Sequence, residues 1–309
     1  MKKELITQTD PKSPISEVFR ALRTNLQFMN KSNGCQTILV TSTVQSEGKS
    51  WISANLAAAF AQSGSRILLI DADMRKPRQH KIFQQKNTPG LSNYLSGINE
   101  YGKRQDLDIY DCIQSTEVDD LYLLPSGNIP PNPSELLLSN KTEKLIKEAS
   151  KNFDVILFDG APCLLVTDST IISSMVQSTI LVTSYKYTKI DDLKDAKKRI
   201  RKVGGNIVGV VLNRIEISSK KYENKYYYAS NSSTPATIPQ RKSKKIDLED
   251  EENITKKQDR EIDDYIEEKV ADTEKQIQDA IKENKKYKEK VDVPSDKAKD
   301  ILKSINGYK

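Results

Sequence analysis

Six apolar runs punctuate the first two thirds of the chain: residues 38–40, 67–70, 121–124, 155–158, and the apolar parts of 179–184 and 206–213. Unbroken rather than alternating runs indicate strands covered on both faces, as in a parallel sheet. Segments with helical spacing lie between them. Residues 16–30 carry Val18, Leu22 and Leu26 along one face, with Ser16 as the expected cap. Ala54, Leu56, Ala57 and Phe60 mark a second helix, and shorter ones are expected near 79–83, 91–95, 168–175 and 191–203. A Pro-rich loop over 124–137 enters another helix near Pro133, Ser134 and Glu135. Strands alternating with helices predict an α/β fold, a mainly parallel sheet with helices on both faces. Ahead of it, polar residues with Pro11 and Pro14 predict an extended arm over 1–14, so the main domain is expected over 15–217.

The pattern stops at 218. Residues 218–233 hold Tyr222, Tyr226, Tyr227 and Tyr228 among lysines, asparagines and serines, with no period that would bury the rings. Three readings stay open: a disordered tail, a stacking platform for single-stranded nucleic acid, or a set of phosphate acceptors. Residues 234–309 form a charged extension. From 231 onward there are 18 Lys/Arg against 19 Asp/Glu, no Phe or Trp, and three of the 13 tyrosines. So little apolar matter predicts disorder or a lone solvated helix. The remaining 230 residues carry a net charge of +7, which suits nucleotides or an anionic surface without demanding nucleic acid.

The three cysteines and single histidine have no metal-ligand spacing. No apolar run approaches the ~18 residues of a membrane span, and no signal segment is evident, so a cytoplasmic location is expected.

The chemistry gathers at strand ends. After Val40 the chain turns through residues 41–47 into Gly48-Lys49-Ser50 and a helix, the strand–loop–helix context of a phosphate-binding loop. Backbone N–H groups of Glu47, Gly48 and Trp51 and their neighbours would take phosphate oxygens, Lys49 would add a mobile charge, and Ser50 a Mg²⁺ ligand. Thr43 stands where the first glycine of that loop usually lies. Asp71 and Asp73 end the second strand and Asp159 ends a later one. Acids at the carboxyl edge of such a sheet can hold a metal or accept a hydroxyl proton, although aspartates there can also simply cap a helix. Glu17, Arg20 and Arg23, three apart, form a charged ridge that is either solvated or a subunit contact.

Taken together, residues 14–230 resemble the bacterial tyrosine kinases of capsule and exopolysaccharide synthesis, in the stand-alone form typical of Gram-positive bacteria. LLIDADMRKP, SGNIPPNPSELL, VLNR and the tyrosine cluster carry the resemblance. It implies a P-loop NTPase of deviant Walker type using ATP and Mg²⁺. Lys49, Asp71 and Asp73 would be catalytic, with Asp71 favoured as base. Ser50, Asp73 and Asp159 would hold the metal, and Asn213 and Arg214 would lie beside the nucleotide. Tyr222, Tyr226, Tyr227 and Tyr228 would be autophosphorylated. Glu17, Arg20 and Arg23 would build a homo-oligomeric ring. The implied partners are a two-span membrane polysaccharide co-polymerase, which would recruit the chain to the inner face of the plasma membrane, and a cognate tyrosine phosphatase; no nucleic acid is expected.

The chain departs from the family in three places. Gln45-Ser46 replaces Pro-Gly, Gly160-Ala161-Pro162 replaces Thr-Pro-Pro, and about eighty residues follow the tyrosines. Two rivals remain. A partition or division-site ATPase would carry a lysine where Val44 stands, and a non-catalytic regulator draws support only from the altered loop.

Overall fold

The computed structural model describes residues 4–29 and 34–215. The tyrosine cluster and the 234–309 extension lie outside the described residues, as does the expected boundary at 217.

Seven strands form one sheet: β1 (Gln36–Ser42), β2 (Ile67–Asp71), β3 (Gln114–Ser115), β4 (Leu121–Leu124), β5 (Val155–Asp159), β6 (Ser178–Ser184) and β7 (Ile207–Asn213). Their order is β3-β4-β2-β5-β1-β6-β7, and every pairing is parallel except the short β3 edge. The expected mainly parallel sheet is therefore present. β1, β2, β5 and β6 are buried along their whole length, which is why they read as unbroken apolar runs.

The register creates the site. β5 lies between β1 and β2, pairing Asp71 with Asp159 on one side and Val40 with Asp159 on the other. The ends of three adjacent strands thus converge where the chain reverses direction across the sheet, the usual ligand position in such folds.

Helix α3 (Lys49–Ala61) joins β1 to β2 and is buried almost all round. Its alanines let it lie close to the sheet, packed with Ile38, Val40, Leu69 and Leu157 in one core. A second core lies across the sheet, where Leu39, Leu68, Ile70 and Phe158 meet α5 (Leu91–Ser96) and α8 (Asn140–Ala149).

Three expectations need correction. The arm over 1–14 is not extended: Ile6–Thr9 forms a helical turn, α1. Thr7 is buried there because its N–H and hydroxyl donate to Asn55 Oδ1, while Gln62 donates to its carbonyl. The next helix, α2 (Pro14–Met29), begins before Ser16. Ser13 Oγ accepts the Ser16 N–H at 3.2 Å and is the cap, while Ser16 points inward and donates to Asp10 O. The buried stripe of α2 is Phe19 and Leu26, with Leu22 packed alongside, whereas Val18 is 48% exposed. Phe19 sets the rotation through its edge-on contact with Trp51, ring centres 5.4 Å apart. The helix expected to start near Pro133 is α7 (Pro133–Leu137), and after Leu138 and Ser139 a further helix, α8, follows it.

The smaller elements follow the sequence reading more closely. α4 (Gln79–Ile82), α9 (Asp168–Ser173) and α10 (Ile190–Lys202) fall where helices were expected. α6 (Ile109–Cys112) and β3 were not foreseen, since four and two residues are too short to show a period.

Candidate active site

The loop from β1 to α3 is a cradle of donors. Among the described residues, no acceptor takes the backbone N–H groups of residues 46–50. They face the start of a thirteen-residue helix, where partial positive charge accumulates. Gly48 has φ +93°, and a Cβ there would stand 2.2 Å from Asn213 Nδ2, so the position requires glycine. Ser46 also takes a left-handed conformation, φ 64°, in a residue with a side chain. Asn213 donates to Glu47 O at 2.9 Å and Arg214 to Ser46 O at 2.5 Å, so the end of β7 fastens the loop from outside.

Lys49 turns down among the acids. Its ammonium lies 2.9 Å from Asp73 Oδ2, 3.7 Å from Asp159 Oδ1 and 3.1 Å from Ser50 Oγ. Burial alone would push its pKa down, but the charges of Asp159 and Asp73 outweigh that and hold it above the ordinary value. Three oxygens around one cation form a hard-cation donor set. No cluster of three or more His, Cys, Asp or Glu among the described residues is arranged to hold a metal alone. One hydroxyl and two carboxylates suit Mg²⁺, which takes one or two carboxylates and completes its shell with water and phosphate.

Asp71 is fully buried. Its Oδ2 accepts the N–H groups of Arg78 and Gln79 at 2.9 and 2.8 Å, and Oδ1 has no partner among the described residues. Burial first, and then the nearby Asp159 charge, push its pKa up to about 8. Asp73, by contrast, lines the cleft and accepts the Lys76 N–H at 3.0 Å.

The cleft holds about 630 Å³ and is walled by Ser46, Lys49, Trp51, Arg75, Pro162 and Arg214 among others. Two residues expected beside a nucleotide also brace the loop. The Glu47 carboxylate is turned inward, accepting from Thr43, the Val44 N–H and Thr188, so only its backbone is available to phosphate. Asn213 does not line the cleft and acts as the loop fastener described above. Glu17, Arg20 and Arg23 lie apart from the cleft, and they do not form one ridge. Glu17 and Arg20 pair at the surface, whereas Arg23 reaches back to Ala59 O at 3.1 Å.

Other site residues escaped the sequence reading. Gln79 donates to Ser50 O and, at 2.7 Å, to Asp159 Oδ2, so α4 holds both acids in place. Arg75 forms a two-pronged pair with the buried Asp168 at 2.8 and 3.2 Å, and Ser134 also donates to that carboxylate. This ties the Pro-rich loop to the cleft wall. Gly160 follows Asp159 because a Cβ would stand 2.3 Å from Ser169 Oγ and 2.7 Å from Leu39. No helix among the described residues is long and apolar enough to cross a membrane.

Residues 36–208 match the AAA domain family. The chain is 39% identical over 224 residues to the putative tyrosine-protein kinase CapB of Staphylococcus aureus, covering 72% of this chain and 94% of that one. It is 36% identical to the tyrosine-protein kinase YwqD of Bacillus subtilis (strain 168), over 74% and 92% of the two chains. Among solved structures, the chimerical protein CapA2B2 superposes with TM-score 0.64 at 40% identity, over 70% of this chain and 91% of that one. The kinase domain of Escherichia coli tyrosine kinase ETK gives 0.65 at 27% identity, over 76% and 85%. With the phosphate loop, the two acidic strand ends and these likenesses in agreement, this chain belongs to the bacterial tyrosine-protein kinases.

Proposed function

We propose that this chain is an ATP- and Mg²⁺-dependent tyrosine kinase that phosphorylates Tyr222, Tyr226, Tyr227 and Tyr228 of a neighbouring copy and regulates capsular or exopolysaccharide synthesis. The observation that carries the reading is the register of β1, β5 and β2, which sets Asp71 and Asp159 side by side next to the Lys49–Ser50 loop. The residues fit the absent groups: a cradle of free N–H donors for phosphates, and Ser50, Asp73 and Asp159 for Mg²⁺. When bound, Mg²⁺ would neutralise charge on the transferring phosphoryl group. Lys49 is held by carboxylates it can exchange for phosphate oxygens. The tyrosyl oxygen takes the γ-phosphoryl group, ADP leaves, and the phenolic proton passes to the Asp71–Asp73 pair: Asp73 lines the cleft, and Asp71, the base favoured from the sequence, lies behind it with Oδ1 unpaired among the described residues. Asp73 would share the metal and base roles.

A two-span membrane co-polymerase is the proposed activator, recruiting the chain from the cytoplasm to the membrane face, and a tyrosine phosphatase would reset the tail. A weakly catalytic regulator is the second reading, favoured by the left-handed Ser46 in place of a loop glycine.

One assay separates them. The chain incubated with γ-labelled ATP should acquire label on tyrosine, and Lys49→Met should abolish it with the fold unchanged by circular dichroism. Absence of label on the unaltered chain, even with its membrane partner supplied, leaves the regulator; undiminished label on Lys49→Met refutes the loop assignment.

A further inference from the structure

A second recess of about 750 Å³ adjoins the nucleotide cleft, and Lys76 and Arg78 line both. Its charge is lopsided. Lys76, Arg78 and Lys81 face one carboxylate, Glu4. The Glu4–Arg78 contact is long, 3.4 Å, and its side chains are 42% and 59% exposed, so it neutralises little. Among the described residues the Lys76 ammonium is bonded only to the neutral Gln45 amide, and Lys81 has no ion pair. Burial pushes the His80 pKa down, so this ring adds no positive charge at neutral pH. Beside the cations lie Pro77 and Ile129, the latter 67% exposed. The groove therefore offers two things together: unneutralised cations, and an apolar edge formed by Pro77 and Ile129. A carboxylate side chain would use only the first.

We propose that this groove binds a phosphotyrosine of residues 218–233, and so keeps a once-phosphorylated tail beside the cleft while its other tyrosines react. The inference rests on the kinase reading above. Charge selects the occupant. Between 218 and 233 the chain carries Lys220, Lys221 and Lys225 against Glu223, so the unmodified tail is basic and the groove repels it. One phosphate adds about −1.5 to −2 charges, which cancels most or all of that +2 and places a compact dianion on the ring itself. Spacing agrees as well. Tyr222 and Tyr226 are four residues apart, at most about 14 Å of extended chain. A phosphate on one, held at Lys81, leaves the next within reach of a cleft that shares two walls with the groove. The first phosphorylation then promotes the later ones.

The test uses the full chain, treated with phosphatase, and a fluorescent peptide of residues 218–233 carrying a synthetic phosphate on Tyr222. Anisotropy should show at least tenfold tighter binding than for the unmodified peptide. Lys81→Glu combined with Ile129→Ala should remove that preference while leaving ADP affinity unchanged, since neither residue lines the nucleotide cleft. Replacing the phosphotyrosine by phosphoserine should lose most of the gain. Equal binding of the phosphorylated and plain peptides, undiminished binding by the double variant, or equal binding of the phosphoserine peptide would each overturn the assignment. Because the phosphate is added chemically, these outcomes do not depend on the chain being an active kinase, which the label-transfer assay reports separately.

Discussion

Ser46 holds a conformation that costs a residue with a side chain about 1–2 kcal/mol, and the Arg214 bond to its carbonyl helps keep it there. Glycine would remove that cost but would gain about 0.5–1 kcal/mol of unfolded-state freedom. Ser46→Gly should therefore change stability, read from the urea midpoint, by between about 0 and +1.5 kcal/mol, and a clearly lower midpoint would show the loop is not strained there. Asp71 and Asp73 call for a different measurement. Changing either to Asn should slow label transfer at least about a hundredfold, the low end of general-base contributions. Normal turnover in both variants would make this strand end purely structural. The thiols give a pH test. Burial is the largest cause that raises Cys163 to about 11 and Cys112 to about 12. At pH 8 about one Cys163 in a thousand is thiolate, so iodoacetamide should leave both untouched until the chain unfolds. Their native pKa values lie above the ordinary value of 9.0, so the native state keeps protons that the unfolded chain releases. Stability should then fall as pH rises from about 9 toward 11, and less steeply in Cys163→Ala.

Helix α2 divides into two roles that its sequence spacing merges. Glu17 and Arg20 form an exposed pair, worth a few tenths of a kcal/mol to the helix, and are available to a neighbour. Arg23 instead donates to Ala59 O near the end of α3, and its Nε is buried without a partner among the described residues. Removing that charged donor should cost about 1.5–3 kcal/mol. Glu17→Ala with Arg20→Ala should thus change oligomer size by light scattering with little loss of stability, whereas Arg23→Ala should lower the denaturation midpoint first. An oligomer unaltered by the double change would return this pair to a solvated surface role. The same contrast explains what was legible in the sequence. Strands β1, β2 and β5, the phosphate loop and the three acids are local signals: an apolar run, then a polar residue or glycine. Gln79 and Asp159 are 80 residues apart, Arg75 and Asp168 are 93 apart, and Thr188 and Glu47 are 141 apart. Nothing local marks such pairs. The rotation of α2 was misjudged for a related reason: Val18 and Phe19 are both apolar, and only the Trp51 ring on another helix decides which turns inward.

At the scale of the whole molecule, the tail's origin bears on where its tyrosines can act. β7 ends at Asn213, and Arg214 already lines the cleft. Tyr226 follows twelve residues later, so it can lie up to about 40 Å from Arg214. That exceeds the ~16 Å radius of gyration expected for a domain of about 200 residues, so the tail can reach a neighbouring copy. To enter its own cleft, the chain must leave Arg214 and double back onto it. A neighbour's tail can approach in line with the γ-phosphate without that reversal. Transfer should therefore occur between copies, with rates that fall on dilution. Several phosphates on one cluster, repeated around an oligomer, should repel one another and the acids of the site, so phosphorylation should also loosen the assembly. The decisive mixture combines full-length Lys49→Met with an intact catalytic chain lacking residues 218–309. Label on the tyrosines of the Lys49→Met chain supports transfer between copies. Its absence there, while the unaltered full-length chain labels itself at a rate independent of concentration, would place the reaction within one subunit.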